Sequence, residues 1–300
     1  MGATTRGPAL SWLALSFTAA YLLVCSLVWY RMRGTPLGSS NAVVPLALLG
    51  ELILLAILSR DERMHPRSWD RRAWATVLGS MILFSLLWYF GRRHSFDQWF
   101  GRAANGGLSS LASFFYFSGA SVILRMVAPL VLMRSVAGVS PQELGYRLWR
   151  PDRSGWLYAI ALFIAIPAVA FASSGAAFLA KYPLCSRAFE DGTLAVETFL
   201  VYQAAYGLIF ISGEAFWRGF MAFGLEHRLG TNTLLFMLIP YVVGHFGKPQ
   251  AESIGAVGAG LFLGWLALRH RSFWLGAAVH WAVALMMDLW AIHRRGIEWV

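Results

Sequence analysis

Three hundred residues with 58% hydrophobic and only 13% charged side chains, at a mean hydropathy of +0.56, exclude an ordinary soluble domain, in which about 25% of residues are charged. The net charge of +10 is nearly all arginine, because Lys181 and Lys248 are the only lysines. Those arginines are scattered over many short loops, which argues against a nucleic-acid partner and fits the way membrane proteins set their topology.

Repeated apolar runs of membrane-spanning length predict an all-α fold, a polytopic membrane helix bundle of about eight or nine transmembrane helices in contact with the lipid bilayer. The runs lie at about 9–30, 42–59, 73–90, 111–134, 155–180, 196–225, 232–247, 253–269 and 272–292. Arg6 precedes the first run and no small-residue cleavage site follows it, so it reads as a retained helix with Trp29-Tyr30-Arg31 as interfacial anchor. Cys25 in that run reads as packing, and with Cys185 it makes no disulfide framework and no CxxC knuckle. The most charged loop is 60–72, RDERMHPRSWDRR, and Arg92, Arg93 and Arg102 mark the next. The longest polar connector, 139–154, opens on Ser140-Pro141, an N-cap followed by proline at the first helical position. It divides an N-terminal set of helices, 1–138, from a C-terminal part, 139–300. The loop around Pro183, Cys185 and Asp191-Gly192 reads as interfacial. The Arg count favours a cytoplasmic side holding 60–72 and 139–154. The run 232–247 is short, as a broken helix lining a protein cavity can be.

Ionisable groups inside apolar runs are costly and usually pair or do chemistry. Glu51 and Arg125 read as a structural ion pair between helices. Glu214 and Arg218, four residues apart in ISGEAFWRG, share a face of an α-helix. His245 follows in YVVGH, flanked by glycines and stopped by Pro249. His280 and Asp288 lie two turns apart in the last run, and Asp288 is close enough to its end to meet headgroups. Glu252, just after Lys248-Pro249, reads first as a helix N-terminal acid and second as a loop residue near His245. Gly260 and Gly264 form a small-xxx-small stripe for close helix packing.

One Glu, one Arg and two His on three helices at membrane depth suit a wet, buried pocket. No HExxH, GxSxG or paired-aspartate signature is present. A buried carboxylate can take a proton from water, and an imidazole can shuttle it. Glu214, His245 and His280 are equally a possible zinc set with an open position for water, so no cofactor is certain and a divalent metal such as zinc stays open.

The order GEAFWRGF, YVVGH and a last helix with His resembles the CAAX prenyl endopeptidase and bacteriocin-processing (CPBP, Abi) family of intramembrane proteases. Glu214 and Arg218 match the second Glu and the Arg of its Glu-Glu-x-x-x-Arg motif, Tyr241 and His245 match its aromatic-x-x-x-His, and His280 matches the His of its His-x-x-x-Asn/Asp. Two positions depart from the pattern: Gly213 stands for the first Glu and Ala284 for the Asn/Asp, with Asp288 a turn further on. The resemblance covers about 196–292. It implies an intramembrane endopeptidase acting on a membrane-embedded or lipidated protein, with Glu214, His245 and His280 catalytic and Arg218, Tyr241, Glu252 and Asp288 supporting. It implies an integral membrane location, expected to be a bacterial inner membrane. The alternatives are a non-proteolytic scaffold of the same family that binds a transmembrane or lipidated partner and, less favoured, a transporter.

Overall fold

The structure is a computed structural model, and it describes residues 8–101, 107–148, 154–185 and 192–300. Arg6, Arg102, Asp191 and the end of the polar connector at 149–153 lie outside the described residues. Helices dominate because a backbone in hydrocarbon must satisfy its own N–H and C=O groups. Among the described residues seven helices are long and apolar enough to cross a membrane, and an eighth apolar helix, Trp156–Ala172, is shorter. The run expected at 196–225 and most of that at 232–247 fall within one helical stretch, Val196–Val243, that counts once among the seven.

In chain order the helices are α1 (Trp12–Arg31), α2 (Val43–Leu58), α3 (Arg71–Phe90), α4 (Arg93–Phe100), α5 (Gly107–Val122), α6 (Ala128–Ala137), α7 (Trp156–Ala172), α8 (Ala176–Leu179), α9 (Val196–Glu214), α10 (Gly224–Leu229), α11 (Thr233–Val243), α12 (Gln250–His270) and α13 (Trp274–Arg295). Two π-helical segments, Ile123–Val127 and Ala215–Phe223, are inserted between α5 and α6 and between α9 and α10. The chain folds into two compact units. Unit 1 comprises Met1–Phe84, Pro129–Leu148 and Ala215–Phe273; unit 2 comprises Ser85–Ala128, Trp149–Glu214 and Trp274–Val300.

Unit 1 is built around α11. Every residue of this helix is buried, and it packs against α1, α2, α12 and the second π segment. A helix that is apolar all round can sit only at the centre of its bundle. The turn that delivers the chain to it uses Gly230, at φ +55, and the fully buried Asn232. The Asn232 amide donates to the carbonyls of Ala9 and Leu229, and its oxygen accepts from the Ser11 amide. Ser11 in turn caps α1 through the Ala14 amide. The expected cap at Ser140 is present as a capping box with Glu143, on a short 3-10 turn at Pro141–Leu144. Asp70 caps α3 by accepting from the Ala73 amide at 2.9 Å, and it also meets His227 and Arg228.

The glycine stripe on α12 behaves as expected at two positions. A Cβ on Gly260 would lie 2.6 Å from Leu238 and 3.0 Å from Tyr241, and one on Gly264 2.8 Å from Leu234, all on α11. Gly255 and Gly258 face open space. In a bilayer such close approach replaces the hydrophobic drive that water supplies to soluble bundles.

Unit 2 packs α13 against α7 and α9, and α5 against α9. Arg93 ties its lower end together, donating to the Leu184 carbonyl and to Ser110 and Ser113 at 3.1 and 3.2 Å. Cys185 is fully buried beside Ser110, and burial pushes its thiol up to about 12, which makes it an inert packing group. An element the sequence did not announce closes this unit: the two-residue strands β1 (Thr193–Leu194) and β2 (Glu298–Trp299) pair in parallel.

Gly260→Leu is expected to lower the stability of the protein by about 1–3 kcal/mol through overpacking, whereas Gly258→Ala is neutral or stabilising; thermal unfolding in detergent checks both. Burial acts to raise the Asp70 pKa, but the Ala73 amide, His227 and Arg228 outweigh it and hold the carboxyl below its ordinary value. Its contribution is therefore complete above the unfolded carboxylate range and is lost as pH falls through the lower folded pKa. Acid destabilisation measured between pH 5 and 3 is expected to be smaller in Asp70→Asn than in the wild type.

Candidate functional site

The residues singled out by the sequence form two clusters, one in each unit. In unit 2, Glu214 is the last residue of α9 and is 1% exposed. Its Oε1 lies 3.0 Å from Nδ1 of His280 on α13. His280 is half-buried, and the ring of Phe210, one turn before Glu214, lies 4.7 Å from the imidazole. Gly276, one turn before His280, makes room for the carboxylate: a Cβ there would lie 3.1 Å from Glu214 Oε2. An ionised carboxylate only accepts, so His280 donates from Nδ1 and presents Nε2 as a base.

Arg125 completes this cluster, although the sequence suggested an ion pair with Glu51. It lies in the first π segment and is directed at α9, donating to the Ile209 carbonyl at 2.5 Å and to Ser212 Oγ at 3.1 Å. Its charge interacts with Glu214. A Cβ on Gly213 would stand 3.3 Å from the guanidinium. The space beside residue 213, where the resemblance calls for a second glutamate, therefore holds an arginine.

Asp288 does not meet headgroups. It is fully buried two turns beyond His280 and accepts on Oδ2 from Tyr202 at 2.7 Å and from the Gln203 amide at 2.8 Å. The Gln203 oxygen accepts from the indole of Trp281, the neighbour of His280. The α9–α13 contact thus carries two polar layers, Glu214 with His280 and Asp288 with Tyr202, Gln203 and Trp281. Tyr202, Gln203 and Trp281 were missed in the sequence. Gln203 in an apolar run was the available signal, whereas Tyr and Trp are too common in such runs to stand out.

In unit 1 the second cluster runs from the π segment to the end of α11. Arg218 is fully buried, with its guanidinium 4.7 Å from the centre of the Tyr241 ring, a cation–π contact. The ring of Tyr241 also meets Trp217 at 5.7 Å and His245 at 4.7 Å. The α-helical face expected over Glu214 and Arg218 is not what forms, because the helix widens to π geometry from Ala215. Such bulges recur at functional sites. α11 ends at Val243, and His245 follows in the turn. Nδ1 of His245 lies 2.7 Å from the Tyr241 carbonyl. A carbonyl can only accept, so Nδ1 carries the proton and Nε2 of neutral His245 is left basic. Behind it, Ser253 donates to the His245 carbonyl, and Tyr30 bonds Ser253. Glu252 is in the first turn of α12, as the helix N-terminal reading requires, and it pairs with Lys248 at 2.6 Å.

Residues 195–286 match the model of the type II CAAX prenyl endopeptidase Rce1-like family. Over this segment the chain is similar to the CAAX-protease family. No curated protein and no solved structure matches it. The matched segment contains Glu214, Arg218, Tyr241, His245, Glu252 and His280, and leaves Asp288 and Arg125 outside. Catalytic zinc takes three protein ligands; among the described residues no group of three His, Cys, Asp or Glu side chains is placed to hold a metal.

Gly276→Ala is expected to crowd the Glu214 carboxylate away from His280 and to lower the melting temperature, since the up to about 1 kcal/mol that alanine gains over glycine inside a helix is outweighed by the lost hydrogen bond to a buried carboxylate. A changed His280 Nδ1–H resonance together with a lower melting temperature is the expected result.

Proposed function

We propose that the chain is an intramembrane endopeptidase that hydrolyses a peptide bond of a membrane-associated or lipidated protein, with Glu214 activating the water. The observation that carries this reading is the 3.0 Å contact between the buried Glu214 carboxylate and the half-buried His280 imidazole. In this reading the Glu214 carboxylate takes a proton from water as its oxygen attacks the scissile carbonyl. The protonated Glu214 carboxyl, held in place by the His280 Nδ1–H, then gives that proton to the amide nitrogen, and the C–N bond breaks to release an amine and a carboxylic acid. Arg125 sets the electrostatics of the carboxylate, which a preorganised charge does without reorganisation cost. The Asp288 layer holds α9 against α13 and so fixes the Glu214–His280 distance. His245, with Nε2 basic, is assigned a supporting part, such as a hydrogen bond to the developing oxyanion once protonated, and Arg218 and Tyr241 hold its turn in place.

A second reading has its own observation. With Arg125 beside Gly213 and no second glutamate, the chain is a non-proteolytic member that retains the pocket to hold a lipidated or transmembrane partner.

Cleavage of membrane-anchored and prenylated peptides by the purified protein in liposomes separates the two. Glu214→Gln and His280→Ala are each expected to lower kcat by about 10²–10⁴, with the protein still inserted. His245→Ala should fall as well, and Arg125→Met less steeply. Full activity in Glu214→Gln would remove that residue from the mechanism. A wild type that cuts nothing, and still retains a lipidated partner through purification, establishes the scaffold.

A further inference from the structure

Unit 1 carries two neighbouring apolar grooves, and neither belongs to the clusters above. One, of about 450 Å³, lies along α3 and α6 and is lined by Leu78, Ile82, Leu132 and Val136. The other, of about 300 Å³, lies along α2 and α3 and is lined by Leu52, Leu55, Val77 and Met81. They share one wall, made by Trp69, Trp74 and Leu78. That wall is fixed in place: the Trp69 indole donates to the Met64 carbonyl at 3.1 Å, and its ring meets Trp74 edge-on at 5.2 Å.

The loop 60–72 contributes to the lining of both grooves: Asp70 and Arg71 line the larger, and His65 and Pro66 the smaller. The loop carries five arginines against three acids. Three acids here are already engaged: Asp61 by Arg63, Asp70 by His227 and Arg228, and Glu143 by Arg72. Glu62 is exposed. Arg67 and Arg71 are exposed and form no ion pair among the described residues. His65 accepts the Arg67 amide on Nδ1 at 3.1 Å, so the proton of the neutral ring sits on Nε2 as a free-standing donor.

We propose that unit 1 seats one anionic diacyl phospholipid astride Trp74, with one acyl chain in each groove and the phosphate under Arg67, Arg71 and the Nε2–H of His65. Two parallel apolar channels of unequal size with one cationic cap match a two-chain lipid, and a single-chain ligand leaves one channel unfilled. Basic side chains at the membrane surface select anionic headgroups, and arginine binds phosphate through a bidentate fork. The site is independent of the peptidase reading.

Native mass spectrometry of the full chain, released from nanodiscs of phosphatidylglycerol mixed with phosphatidylcholine, tests it. One phosphatidylglycerol is expected to remain bound in preference to phosphatidylcholine. The Arg67→Glu/Arg71→Glu variant is expected to lose that preference by about tenfold or more, and Leu78→Trp, which fills the shared wall, is expected to lose the lipid itself. Arg71→Gln, milder in its effect on folding, should give an intermediate loss. Equal retention of phosphatidylcholine, undiminished binding in the Arg67→Glu/Arg71→Glu variant, or equal retention of the single-chain lysophosphatidylglycerol would each overturn the assignment.

Discussion

A polar group in a membrane span has no water to turn to, so it must find its partner in the protein. The interior of this chain is arranged around that constraint. Asp288 is met by a phenol and an amide, Arg125 by a carbonyl and a hydroxyl, and Arg218 by an aromatic face. Glu214 is met by an imidazole. Of these partners the imidazole is the one whose ordinary proton exchange lies near neutral pH, so the same rule that stabilises the buried groups leaves one pair suited to moving a proton.

The α9–α13 contact shows how such a pair is kept in register. Its two polar layers are separated by about two helical turns, and each spans both helices. A hydrogen bond in a bilayer contributes modestly, about 0.6 kcal/mol on average where it has been measured in a membrane protein. Its greater effect is geometric: two layers fix both the sliding and the rotation of one helix against the other, which a purely apolar seam leaves soft. Gly276 and Gly207 add to this by admitting the Glu214 carboxylate and the Trp281 ring.

The sequence made the helical class, the positions of the spans and the first-motif and histidine residues legible, because apolar run length and intramembrane charge are local signals. Gly260 and Gly264 were readable for the same reason. What it hid was tertiary. The destination of Arg125 depends on a helix more than eighty residues away, and no spacing rule connects it to Gly213. Asp288 looked terminal because its run ends soon after, yet Tyr202 and Gln203 draw it inside. The π widening at Ala215 also left no mark, since apolar composition is indifferent to whether a turn closes on the fourth or the fifth residue. The short strands β1 and β2 are below the length at which alternation can be read.

The brevity of α11 has a consequence for how this protein is made. Eleven residues at ~1.5 Å each cover about half of a ~30 Å hydrocarbon core. The chain beyond Val243 turns irregularly through Gly244 to Pro249 before α12 begins. Alone, such a segment exposes unsatisfied backbone to lipid and is too short to be retained by the insertion machinery. What completes it is α12, whose glycines fit its side chains. The turn that carries His245 is therefore held by the pairing of these two helices and is not a property of α11 alone.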